Sequence, residues 1–140
     1  MAPLAERLAS AQRVFRDPRI TVTAIESLMG TRFTADTLAG LKRRFPRACF
    51  VFVMGADSFA ALHRWGHWRR VMLAVPIAVM PRPGFTRAAL CSPAARRFAA
   101  ARIPARAAAS LAVKAPPAWV VLEIREDTSS ATRIRAGTEG

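Results

Sequence analysis

The chain has 140 residues, room for one domain with a real core and no more. A hydrophobic content of 52% excludes a disordered polypeptide, and 22 Lys and Arg against 9 Asp and Glu leave a formal charge of +13. So many cations cannot all line one pocket: most belong to a solvated arginine-rich surface, and an anionic ligand such as a nucleotide or RNA accounts for the rest.

Pro3 stands where a first-turn proline belongs, and Leu4, Leu8, Ala11 and Phe15 recur at helical spacing before Asp17-Pro18 stops the run. Ile20 to Glu26 is rich in β-branched residues and reads as a strand, followed by a loop at Gly30 to Phe33. Thr34 suits an N-cap with Asp36 in the first turn. Leu38, Leu41 and Phe45 then share one helical face, which ends at Pro46.

Cys49 to Met54 is apolar throughout, as expected of a strand covered on both faces. Asp57-Ser58 can cap a helix running on towards Trp65 or Val71. Pro76 to Met80 reads as a third strand, stopped by Pro81-Arg82-Pro83-Gly84. A basic helical stretch is expected from about Thr86 to Ala112, interrupted near Pro93 and Pro104. Trp119 to Ile124 is a fourth strand, and Ser129 to Arg135 begins a last helix. Strands alternating with helices predict a doubly wound parallel sheet in one α/β domain spanning residues 1–140.

Cys49 and Cys91 show no metal or CxxC spacing and no disulfide framework, which fits a reducing cytoplasm. The apolar run Val71 to Met80 contains Pro76 and is too short to cross a bilayer, and residues 1–20 carry no apolar signal core. A soluble cytoplasmic protein without membrane partners is expected.

A buried strand that ends in Gly55 and leads through Asp57 into a helix is how an α/β sheet presents a ligand site at its carboxyl edge. Gly55 lets a ligand approach the backbone, and Asp57 can accept hydrogen bonds from ribose hydroxyls or simply cap its helix. Trp65 and Trp68 are three apart; they read as core packing or as a flat ring open to a stacked base beside Gly66. At Ser130-Ala131-Thr132-Arg133-Ile134-Arg135, helix-start amides, two hydroxyls and Arg135 can close on phosphate. The same residues also read as an ordinary cap with exposed arginines. His63 and His67 are at i and i+4 but lack a third ligand, so no metal site is assigned. Gly-rich phosphate loops and nucleophile–base constellations are absent.

Taken in order, these blocks resemble bacterial nicotinate-nucleotide adenylyltransferases of the nucleotidylyltransferase superfamily. Thr31 to Leu38 is similar to their (S/T)-Y-T-x-x-T-L block. Gly55-Ala56-Asp57-Ser58 with Trp65 and Trp68 is similar to G-x-D-x(7)-W-x-x-W. Arg82-Pro83-Gly84-Phe85 resembles R-P-G-Y, and Ser130 to Arg135 resembles S-x-T-x-I-R. The resemblance implies a Rossmann-like fold and Mg²⁺-assisted adenylyl transfer from ATP to nicotinate mononucleotide, giving nicotinate adenine dinucleotide and pyrophosphate in NAD synthesis.

It also implies roles. Trp65 and Phe33 would stack on the pyridine ring, and the amides of Thr34 and Gly66 would hold the nicotinate carboxylate. Gly55 and Asp57 would line the nucleotide crevice, while Ser130, Thr132 and Arg135 would grip the ATP phosphates. The family's G-x-F-x-P-x-H-x-G-H segment has no counterpart here, so no catalytic residue is identifiable. The first strand-helix-strand unit is expected to be absent, leaving exposed apolar surface and a chain with little or no adenylyl transfer of its own. Phe33 keeps the ring of the usual tyrosine and loses its hydroxyl. Two other readings are a basic RNA-binding module, against which no nucleic-acid motif speaks for specific binding, and an adenylyltransferase acting on nicotinamide mononucleotide or phosphopantetheine.

Overall fold

The computed structural model describes residues 2–124. Its centre is a three-stranded parallel sheet in the order β1-β2-β3: β1 Phe52–Gly55, β2 Ile77–Met80 and β3 Trp119–Val121. The register pairs Phe52 with Ile77 and Met54 with Val79, then Ile77 with Trp119 and Val79 with Val121.

Side chains alternate across a pleated strand, and here the alternation divides the core in two. Met54, Ile77, Val79 and Trp119 face a large cluster with Phe59, Leu62, Val71, Met72 and Phe98. Ala78 and Val120 face the opposite way, onto Leu111, Ala118 and Ile103. Apolar material on both faces is the doubly wound arrangement, and it explains why β2 carries no polar residue. The chain is α/β and Rossmann-like in architecture.

Among the described residues seven short helices accompany the sheet: α1 Leu4–Val14, α2 Ile25–Met29, α3 Thr34–Arg44, α4 Ala56–Ala61, α5 Trp68–Ala74, α6 Thr86–Leu90 and α7 Pro93–Arg97. Helix α3 packs on α5, where Lys42 Nζ donates to the Ala74 carbonyl at 2.8 Å. The Ser92 hydroxyl accepts from the Ala95 amide at 3.2 Å and caps α7, with Pro93 in its first turn. The buried Trp119 indole donates to the Phe98 carbonyl at 2.8 Å, so its polar edge is satisfied inside the core.

Several expectations are corrected. Ile20 to Glu26 is no strand: residues 20–24 are irregular, and Ile25 opens α2, which ends on left-handed Gly30. β-Branched residues favour a strand only where a neighbouring strand and a half-buried surface exist, and no described strand lies beside these largely exposed residues. The basic stretch after Thr86 is two short helices and two 3₁₀ segments, Ala99–Ala101 and Ala105–Val113, because Pro93 and Pro104 end each run. Pro3 is the N-cap of α1, outside the first turn. Phe33, not Thr34, is the N-cap of α3, and Gly55, not Asp57 or Ser58, is that of α4; neither cap makes a side-chain bond.

Packing is uneven. Neither α1 nor α2 has a buried residue. A groove of about 640 Å³ runs between α1, residues 22–27, α3 and Phe52. Its apolar lining includes Leu4, Leu8, Ile25 and Leu38.

Candidate functional site

In a parallel sheet all carboxyl ends lie along one edge, and the loops that follow them converge there. The first two ends are Gly55 and Met80, and Asp57 and Arg82 each lie two residues beyond. Arg82 Nη1 donates to Asp57 Oδ2 at 3.1 Å, so one ion pair spans the crevice mouth. Both side chains are about one third exposed, leaving the pair accessible to a ligand.

The turn after β2 holds Arg82 in place. The Phe85 amide donates to the Arg82 carbonyl, Gly84 has φ +80°, and the Thr86 hydroxyl bonds the Arg82 backbone at both its amide and its carbonyl. Gly84 suits that turn because residues with a Cβ rarely adopt this φ. Gly55 has a different constraint: an added Cβ would lie 2.6 Å from Asp57 Oδ1. Glycine therefore sets how closely the Asp57 carboxylate folds back on β1.

Phe33, Trp65 and Gly66 form the second part. After α4 the chain makes a 3₁₀ turn, Leu62–Arg64, and Trp65 caps it, its amide donating to the Leu62 carbonyl at 2.9 Å. Trp65 is partly buried and meets Phe52 of β1 edge to face, with centroids 6.4 Å apart. Gly66 is exposed, and a Cβ there would overlap the Phe33 ring. The Phe33 ring therefore lies directly against the Gly66 backbone, although the two are far apart in sequence. Its edge meets the His67 ring at 5.1 Å, and the Arg32 guanidinium sits 5.4 Å from its centroid.

Two backbone donors flank this ring. The Gly66 amide has no acceptor among the described residues, and Thr34 opens α3, where first-turn amides lack intrahelical partners. Asp36, one turn into α3, pairs with Arg70 of α5 at 3.3 Å and ties the two walls together.

Phe33, Thr34, Trp65 and Gly66 are thus brought to one place, and Gly55 and Asp57 to the strand edge from which that loop departs. The other sequence candidates, Ser130, Thr132 and Arg135, lie outside the described residues. His63 and His67 do not share a helix as their spacing suggested: His63 is in the 3₁₀ turn with its Nδ1 buried and unbonded among the described residues, and His67 is left-handed at φ 57° before α5. Trp65 and Trp68 likewise belong to separate turns, and Trp68 packs edge-on against Phe98 instead. Arg82 was missing from the sequence candidates. Its signal lay in the Arg-Pro-Gly turn, but a contact to Asp57 across 25 positions leaves no trace in local spacing.

Among the described residues no three His, Cys, Asp or Glu side chains gather as a metal site, and no helix is long and apolar enough to cross a membrane. Cys49 and Cys91 are exposed free thiols.

A parallel α/β sheet with an ion pair at its carboxyl edge is an arrangement that suits nucleotide binding, and the matches to known proteins make the class that of the nucleotidyltransferases. The cytidylyltransferase-like family matches residues 1–137, and the chain belongs to that family. It is 51% identical over 135 residues to a probable nicotinate-nucleotide adenylyltransferase of Cereibacter sphaeroides, a match covering 96% of this chain and 71% of the relative. Proteins with the same description from Ruegeria pomeroyi and Rhizobium johnstonii are 47% and 46% identical, over 63% and 69% of their lengths.

Proposed function

We propose that the chain binds nicotinate mononucleotide and ATP at the carboxyl edge of the sheet, for adenylyl transfer giving nicotinate adenine dinucleotide and pyrophosphate in NAD synthesis. The observation that carries this reading is the placement of the Phe33 ring against the Gly66 backbone, next to Trp65, with the amides of Thr34 and Gly66 without an acceptor among the described residues.

Each group has a task that its chemistry suits. Phe33 and Trp65 offer aromatic surface to a pyridine ring. The amides of Thr34 and Gly66 donate to its carboxylate, an acceptor-only group that a carboxamide cannot fully imitate. Arg82 offers a guanidinium to the mononucleotide phosphate, and Asp57 accepts from ribose hydroxyls while orienting Arg82. Ser130, Thr132 and Arg135 are the proposed ATP phosphate ligands. The transfer uses no covalent intermediate, so the protein acts by positioning and by stabilising phosphate charge.

Mg²⁺ would accompany the ATP phosphates, which supply oxygen ligands of the kind it prefers. The described residues provide no cage of their own for it. A single α/β domain working in the cytoplasm belongs to the same reading.

Calorimetry with nicotinate mononucleotide and nicotinamide mononucleotide tests the acceptor. Tighter binding of the nicotinate form supports the reading, and a preference for the amide contradicts it.

A further inference from the structure

Aromatic rings and arginines make a second constellation. Trp68 and Phe98 meet edge to face with centroids 6.0 Å apart, and Trp119 joins them through its hydrogen bond to the Phe98 carbonyl. Each ring carries its own guanidinium: Arg69 lies 5.5 Å from the Trp68 centroid, Arg97 5.1 Å from Phe98 and Arg102 5.5 Å from Trp119. All three arginines are exposed. A guanidinium resting on a ring is held extended while its N–H groups remain free to donate outward.

These charges are also uncompensated. The sequence holds no Asp or Glu between Asp57 and Glu123. Among the described residues the ion pairs are Arg19–Asp17, Arg70–Asp36 and Arg82–Asp57, and none includes Arg69, Arg97 or Arg102. Arg96 and Arg106 add exposed charge on the same stretch of chain. Glu123 shares a groove with Arg102, but a surface on which preset cations outnumber carboxylates attracts a polyanion of repeating charge.

We infer that Arg69, Arg97 and Arg102 form a docking surface for the phosphate backbone of nucleic acid. The rings beneath them choose between modes of binding. Trp119 and Phe98 are buried, at 1% and 6% exposure, so they offer no open face on which bases could stack. Contacts to phosphates without base readout position a nucleic acid and carry no sequence preference. Arg102 also lines a groove with Pro81 and Thr86, so this surface borders the strand-end site.

Fluorescence anisotropy with a short labelled RNA of mixed sequence, titrated between about 50 and 200 mM salt, tests this. Three single-strand phosphate contacts at about −0.7 each predict a slope near −2 for log K against log salt. The triple variant R69Q/R97Q/R102Q is expected to lose about tenfold or more in affinity and most of that slope. A charge-matched variant at exposed arginines elsewhere, R13Q/R16Q/R43Q, is expected to keep most of both. R69K/R97K/R102K, which retains the charges, is expected to keep the slope and so separates lost contacts from lost folding.

Equal weakening by the two charge-matched triples would overturn the proposal, since diffuse charge would then suffice. So would no binding by the parent chain. Binding of poly-glutamate with the same sensitivity to R69Q/R97Q/R102Q would also overturn it, by making an acidic protein the partner.

Discussion

The regions before and after residue 50 differ sharply in how they use apolar residues. From β1 onward, Phe59, Leu62, Val71, Met72, Ile77, Val79, Trp119 and Val120 are fully buried between sheet and helices. In the first part α1 and α2 bury nothing fully, while Val14, Phe15, Ile20 and Leu28 stand half or more exposed or nearly so. Only α3 is anchored, through Ala35 and Leu38 in the core and its contacts to α5. The contrast teaches that an amphipathic pattern makes a helix, while burial requires a surface placed opposite it.

The largest expected effect lies in the packed region. Phe59→Ala removes a buried ring stacked near Trp119 at 4.9 Å and should cost about 3–5 kcal/mol in urea unfolding. Phe15→Ala, at an exposed position, should change stability by less than about 0.5 kcal/mol. Similar costs for the two would erase the contrast. Native-state hydrogen exchange sharpens it: amides of β2 should open only with global unfolding, and those of α1 at free energies several kcal/mol lower. Equal protection would show that α1 is held as firmly as the sheet.

The pocket joins the two regions, since Phe33 comes from one and Gly66 from the other. Gly66→Ala drives a methyl into the Phe33 ring. It should weaken nicotinate mononucleotide by more than about tenfold in calorimetry, with little change in the melting temperature. Arg82→Gln should weaken the mononucleotide by about fivefold and leave the phosphate-free riboside unchanged, because Asp57 and solvent already moderate the charge.

The smallest effect belongs to the loosely packed region. Three hydrogen bonds donated by Arg19, two from its guanidinium and one from its backbone amide, hold the Asp17 carboxyl below its ordinary value. A carboxyl depressed in the folded state stabilises it above the ordinary carboxylate pKa, and that contribution disappears as pH falls through the lowered value. Arg19 is exposed and the Asp17 side chain about one third exposed, so the pair lies at the surface and a carboxyl NMR titration is the proper readout. The Asp17 midpoint should rise in Arg19→Ala.

Sequence reasoning located the packed region well because a two-faced parallel strand writes itself as an unbroken apolar run, as at Ile77 to Met80. It failed at Ile20 to Glu26, where β-branched residues lack the neighbouring strand that would make them a strand. Of the pocket, Gly55 and Asp57 were legible, since a strand end followed by Gly and Asp is a local pattern. The meeting of Phe33 with Gly66 and of Asp57 with Arg82 depends on sheet topology, and no spacing rule reaches that far. The resemblance to a family bridged the first pair and matched Arg82 only as part of a turn, with no role in the site.

Amide chemical-shift mapping with nicotinate mononucleotide tests the central claim most directly. Perturbations should concentrate at Phe33 to Asp36, Gly55 to Ser58, Trp65 to His67 and Arg82. Perturbations confined to the groove lined by Leu4, Leu8, Val22 and Ile25 would place the ligand elsewhere and contradict the account.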